Sequence, residues 1–155
     1  MSETAEPSPD QPLPPAGIVR RLLAIVYDVV LLGAVLYCAM GILLLVTAGA
    51  ANHPGSPLVR AFLLAVTFLF YGWFWMRDGQ TLGLRSWRLR IVSADGRPLT
   101  WGVVMLRFTL ALVGWAAFGL GFLWMILDPD RQTLYDRIAG TRVVLLPKKP
   151  RPADE

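Results

Sequence analysis

The sequence predicts an α-helical integral membrane protein. Its expected architecture is two full transmembrane helices plus a third re-entrant or interfacial helical segment, with a small cytoplasmic two-stranded β element. Three observations carry that expectation. Hydrophobic residues make up 55% of the 155-residue chain, and they fall in long blocks rather than at the spacing of a soluble core. Three such blocks, 22–50, 58–76 and 101–127, each reach the roughly 18 apolar residues that mark a membrane-spanning helix. Arg and Lys residues gather beside the blocks, as they do in loops retained on the cytoplasmic side.

Residues 1–17 contain Pro7, Pro9, Pro12, Pro14 and Pro15 and almost no large apolar side chains. Such a Pro-rich tail cannot bury enough surface to offset its chain entropy and is expected to be disordered. The membrane domain is expected over 18–146, with a flexible tail over 147–155. Arg20 and Arg21 mark the interface where the first helix begins. Its apolar block is too long for a signal-peptide core, contains Asp28 and follows Glu3, Glu6 and Asp10, so it reads as an uncleaved anchor. The stretch AANHPGSP is a turn-rich loop, and His53 within it has no metal-ligating neighbours. The second span closes on YGWFWM, an interfacial aromatic belt.

Beyond it, GQTLG reads as the exit from the membrane into a strand, since it lacks the Lys-Ser/Thr ending of a phosphate loop. SWRLRIV alternates with a two-residue period and is followed by the turn signal Asp95-Gly96. TRVVLLP has the same character. Neither short strand would be stable alone, so the two are expected to pair, which puts them on one side of the membrane. Arg77, Arg85, Arg88, Arg90 and Arg97 place the second loop inside, and Arg131, Arg137, Arg142, Lys148, Lys149 and Arg151 place the C-terminal segment inside as well. A single crossing by 101–127 would separate these two segments. The third block is therefore expected to enter and return, bending near Gly114, Gly119 and Gly121, with both termini cytoplasmic.

Arg21, Ala24 and Asp28 share one helix face, with about 10 Å of rise between the two charges. A carboxylate within a span costs about 2.5–3.5 kcal/mol on insertion scales, so Asp28 should face the protein interior and have a partner. Arg107 is the first candidate and Arg77 the second. Asp28 is either an ion- or proton-linked site or half of a structural charge pair. Asp136 fits a capping box in TLYD, with Thr133 as N-cap and Gly140 ending the helix, while Asp128 and Asp130 cap or pair locally.

RRLLAIVYD, RDGQTLGLRSWRLRIVSADGRPL and DPDRQTLYDRIAGTRVV, in that order, resemble the RDD family of membrane proteins over roughly residues 16–146. The resemblance implies a bacterial inner-membrane protein with functional charges at Arg21, Asp28 and Asp136, Asp128 being the alternative for the last. It suggests transport of an ion or small solute, with Arg107 as a further charge candidate. A chain of this size needs a second copy or another membrane protein to build a pathway, so a homo-oligomer or a partner is expected. Ala34 with Cys38, and Ala117 with Gly121, sit four apart and suit close helix contact. A second reading is a non-transporting scaffold or accessory subunit. Its basic cytoplasmic face (Arg85, Arg88, Arg90, Arg142, Lys148 and Lys149) would bind lipid headgroups or a protein partner.

The net charge of +4 is juxtamembrane rather than arranged for nucleic acid. Cys38 is the lone cysteine and lies within the first span, where it reads as a packing residue. The sequence has no Ser/His/Asp set, polar-site Cys, metal-ligand cluster or dinucleotide fingerprint, so neither enzymatic activity nor a metal or cofactor is expected.

Overall fold

A computed structural model describes residues 13–47 and 56–147. Two long helices come first, α1 (Ile18–Val46) and α2 (Pro57–Asp78), followed by the short α3 (Leu82–Ser86) and strand β1 (Leu89–Ser93). The second half contains α4 (Trp101–Ala116), α5 (Leu120–Leu127), α6 (Leu134–Ile138) and β2 (Thr141–Leu145). Both α1 and α2 are long and apolar enough to cross a membrane. Helix α1 inverts the soluble pattern: it buries Arg21, Ala24 and Asp28 while Val26, Val29 and Val30 are exposed. Polar residues facing inward and apolar ones outward are what a lipid-facing helix requires. Pro57 starts α2 at a position where its missing N–H costs nothing, and Gly79 ends it in the left-handed region at φ 66°.

Strands β1 and β2 pair antiparallel, Leu89 opposite Leu145 and Ser93 opposite Thr141. Leu89, Ile91 and Val143 turn into a core shared with Ala24, Trp75, Val104 and Phe108. The expected strand boundary needs correction. Ser86 closes α3 and Trp87 is its C-cap, because Thr81 caps a helix there and Arg88, at φ 56°, breaks it before the strand. Residues 14–16, expected in the tail, lie along the other edge of β2. The Leu145 amide donates to the Pro14 carbonyl (2.9 Å), and the Ala16 amide to that of Val143 (3.1 Å).

Helices α4 and α5 meet at 95°. Phe118 takes φ 55°, and the Gly119 amide donates to the Gly114 carbonyl at 3.0 Å, a Schellman closure that satisfies backbone polarity through the bend. A Cβ on Gly121 would lie 3.2 Å from the Gly114 Cα, so the two helices fold back through a glycine-to-glycine contact.

One segment of the chain also recurs, residues 78–93 as residues 130–145. A constant shift of 52 residues carries Thr81 onto Thr133, α3 onto α6 and β1 onto β2. The same shift carries the left-handed Gly79 onto Arg131 (φ 52°) and the left-handed Arg88 onto Gly140 (φ 64°). Asp78, Gln80, Leu82, Arg85, Arg90 and Val92 recur as Asp130, Gln132, Leu134, Arg137, Arg142 and Val144. The central pair of the ladder, Ile91 with Val143, joins two equivalent positions. The sheet is therefore a local two-fold between the two copies of this segment, the self-complementary contact expected of an isologous pair.

Candidate functional site

Among the described residues three carboxylates are buried, Asp28, Asp128 and Asp136, and two of them, Asp28 and Asp136, each accept a hydrogen bond from the hydroxyl of a helix-capping threonine. Thr133 caps α6 by accepting from the Asp136 amide (3.2 Å), and its hydroxyl donates back to Asp136 Oδ2 at 2.7 Å. The expected Thr133 cap forms, but the Asp136 carboxylate meets the Thr133 hydroxyl rather than its amide, and capping is only part of the role of Asp136. Arg21 Nη1 donates to the same oxygen at 2.9 Å, Arg107 Nη1 donates to Oδ1, and Arg107 Nη1 also reaches the Thr141 hydroxyl at 2.7 Å. Asp136 is wholly buried, and both guanidiniums are at least nine-tenths buried. Burial alone would push this carboxyl up. Arg107 and Arg21 outweigh that effect and hold it below the usual carboxylate range. The Arg107 guanidinium also lies 5.1 Å from the Trp75 ring centre and 5.3 Å from that of Tyr135.

Asp28 is held differently. Its Oδ2 accepts from the Thr81 hydroxyl and its Oδ1 from the Gly83 amide at 2.9 Å, so α3 provides both partners. Among the described residues no cation lies within ion-pair distance of Asp28. The expected Arg107 partnership is corrected here: Arg107 belongs to Asp136. Arg77, the second candidate, lies instead on the surface beside Asp78. Helical side chains lean toward the N-terminus, so Arg21 reaches away from Asp28 toward α6 even though both share one face of α1. Gly83 is what lets α3 sit so close. A Cβ there would be 2.8 Å from the Asp28 carboxyl carbon.

Helices α1 and α4 both border a cavity of about 340 Å³ alongside α2. Asp28, Thr67, Thr81 and Tyr71 supply polar wall, Arg21 and Arg107 line it as well, and most of the remaining wall is aliphatic or aromatic. The Nε atoms of Arg21 and Arg107 and the indole N–H of Trp75 are buried without hydrogen-bond partners.

The four charge candidates thus split into a fixed cluster of Arg21, Arg107 and Asp136, with Asp28 apart from it. Asp128 accepts from the Gln132 amide (2.9 Å) and from Arg137, a local cap and pair as expected. Of the basic candidates, Arg85 and Arg90 are exposed, while Arg88 and Arg142 are half-buried. Lys148 and Lys149 lie outside the described residues. The sequence reading missed Thr81, Gly83 and Thr141. The signal for Thr81 was present: Gln80-Thr81-Leu82 recurs as Gln132-Thr133-Leu134, and the second copy had already been read as a cap.

The profile of the RDD family matches residues 15–140, most of the chain, and the protein belongs to that family. No curated protein and no solved structure matches it.

Proposed function

We propose that this RDD-family membrane protein moves an ion or small solute across the bacterial inner membrane as an oligomer, with Asp28 as its exchangeable charge. One observation carries the reading. The Asp28 carboxylate lines a cavity between α1 and α4 and, among the described residues, is held only by neutral donors, Thr81 and Gly83. A carboxylate locked to an arginine is architecture, and that role falls to Asp136. A carboxylate held by a hydroxyl and an amide has its charge left to a mobile cation or proton.

The topology we propose follows from pairing. Because β1 and β2 share one ladder, the chain between them leaves and returns to one face, which supports α4 and α5 entering the bilayer and turning back. Phe118 at the bend is 95% exposed, suited to an apolar surrounding. Arg77, Arg85, Arg88, Arg90, Arg97 and Arg142 flank the sheet end, which supports a cytoplasmic location for it and for both termini.

Flux measured in liposomes, wild type against Asp28→Asn, tests the reading. Flux in the wild type and its loss in a folded Asp28→Asn variant is the expected result. No flux from a well-folded wild type would overturn it. Labelling of a cysteine placed at residue 147 only from the periplasmic face would overturn the topology. The exposed Arg85 and Arg90 favour a second reading, a scaffold that binds anionic lipid or a protein partner through this face. Salt-sensitive binding to anionic vesicles, lost in a double Arg85→Gln, Arg90→Gln variant while flux persists, would assign that role in addition.

A further inference from the structure

Resting on the reading of Asp28 as an exchangeable charge, we propose that the cavity between α1 and α4 takes a monovalent organic cation with an apolar body. Its cationic head would pair with the Asp28 carboxylate. The space, about 340 Å³, falls in the range of small-molecule pockets, and so does the wall chemistry: mostly apolar, with few polar groups. Ile25, Leu32, Phe108 and Leu112 can surround an apolar body, and Tyr71 and Trp115 add aromatic rings to the same wall.

Charge selects the head group. Among the described residues no cation lies within ion-pair distance of Asp28, while the two guanidiniums that also line the cavity are bound to Asp136 and to the Val143 carbonyl and Thr141 hydroxyl. An anionic ligand would meet Asp28 head on. An inorganic cation fits poorly for a different reason. Hard cations exchange their hydration shell for several oxygen ligands, and here the one carboxylate is surrounded mainly by hydrocarbon. A soft cation on a hydrocarbon frame carries little hydration to lose, and its frame gains from burial in the apolar wall.

The test uses the purified full chain in detergent micelles, with benzyltrimethylammonium as probe and neopentylbenzene, its uncharged isostere, as control. Equilibrium dialysis reads saturable binding. The expected result is saturable binding of the cation, weakened about thirtyfold or more in Asp28→Asn with binding of the neutral isostere unchanged. Ala111→Phe, which fills the cavity without touching the hydrogen bonds of Asp28, should abolish binding of both. Equal affinity for cation and isostere, displacement of the cation by millimolar sodium, or full binding in Ala111→Phe would each overturn the proposal, as would no saturable binding. Binding in micelles needs no vectorial movement, so the two readings can fail separately. Cation binding without flux in liposomes would refute transport alone, whereas sodium flux without cation binding would refute the ligand class alone.

Discussion

Replacing Asp136 by Asn tests the central cluster most directly. The substitution keeps the side chain's shape and one accepting oxygen but removes the only carboxylate among the described residues in contact with Arg21 and Arg107. One guanidinium then faces an amide NH2, and two buried positive charges lose their counter-charge. Breaking a buried pair by removing one partner costs about 3–5 kcal/mol, because the remaining charge is left uncompensated. Two arginines depend on Asp136, so the loss should fall in the upper half of that range. If the uncompensated charge is the cause, removing Arg21 as well must recover part of it. Arg21→Met in the Asp136→Asn background should therefore cost less than in the wild type, with a coupling of at least about 1 kcal/mol. The assay is reversible unfolding in mixed micelles by SDS titration, followed by far-UV circular dichroism. A loss below about 1 kcal/mol for Asp136→Asn, or single variants that add to within about 0.5 kcal/mol, would refute the reasoning.

Three further outcomes follow from the same geometry. The Asp136 carboxyl lies below its ordinary value in the folded protein, so its stabilisation is complete above the unfolded value of about 3.9 and is lost as pH falls through the lower folded value. Midpoints of thermal unfolding between pH 8 and 3 should stay level for this group down to about pH 5 and drop below pH 4, with Asp136→Asn losing the acid drop. Gly83→Ala places a methyl 2.8 Å from the Asp28 carboxyl carbon, forces α3 off α1 and should cost about 1–3 kcal/mol in the same SDS titration. A neutral result would mean that α3 is not seated on Asp28. Phe118→Gly relieves a left-handed residue whose side chain packs on little else, and should stabilise the protein in micelles by about 0.5–1 kcal/mol. Destabilisation above about 1 kcal/mol would show that Phe118 packs against a second copy.

Much of this protein follows from its sequence by local rules. The spans follow from uninterrupted apolar length, because hydrocarbon leaves a helix no other way to satisfy its backbone. The capped helix at Thr133, the turn at Asp95-Gly96 and the bend near Gly114, Gly119 and Gly121 depend on residues within a few positions of one another, so their spacing announces them. Pairing of the two strands was legible because each is too short to stand alone. Even the recurrence of the capped helix and strand is visible in the chain, in Gln80-Thr81-Leu82 and Gln132-Thr133-Leu134.

The partners of the buried charges were decided only by the tertiary structure. Arg21, Asp28 and Arg107 could be singled out because a charge in an apolar run is costly wherever it points. Nothing local says which carboxylate a long, flexible guanidinium will reach. That choice depends on the approach of α3 to α1 over Gly83, which satisfies Asp28 with neutral donors, and on the fold-back of α4 and α5. The fold-back brings Asp136 of α6 between Arg21 and Arg107, residues 115 and 29 positions away along the chain. Electrostatic pairing is set by distance in space, which sequence separation does not encode. Asp28 could therefore be seen as buried from the chain alone, while its lack of an arginine partner among the described residues emerged only when the helices packed.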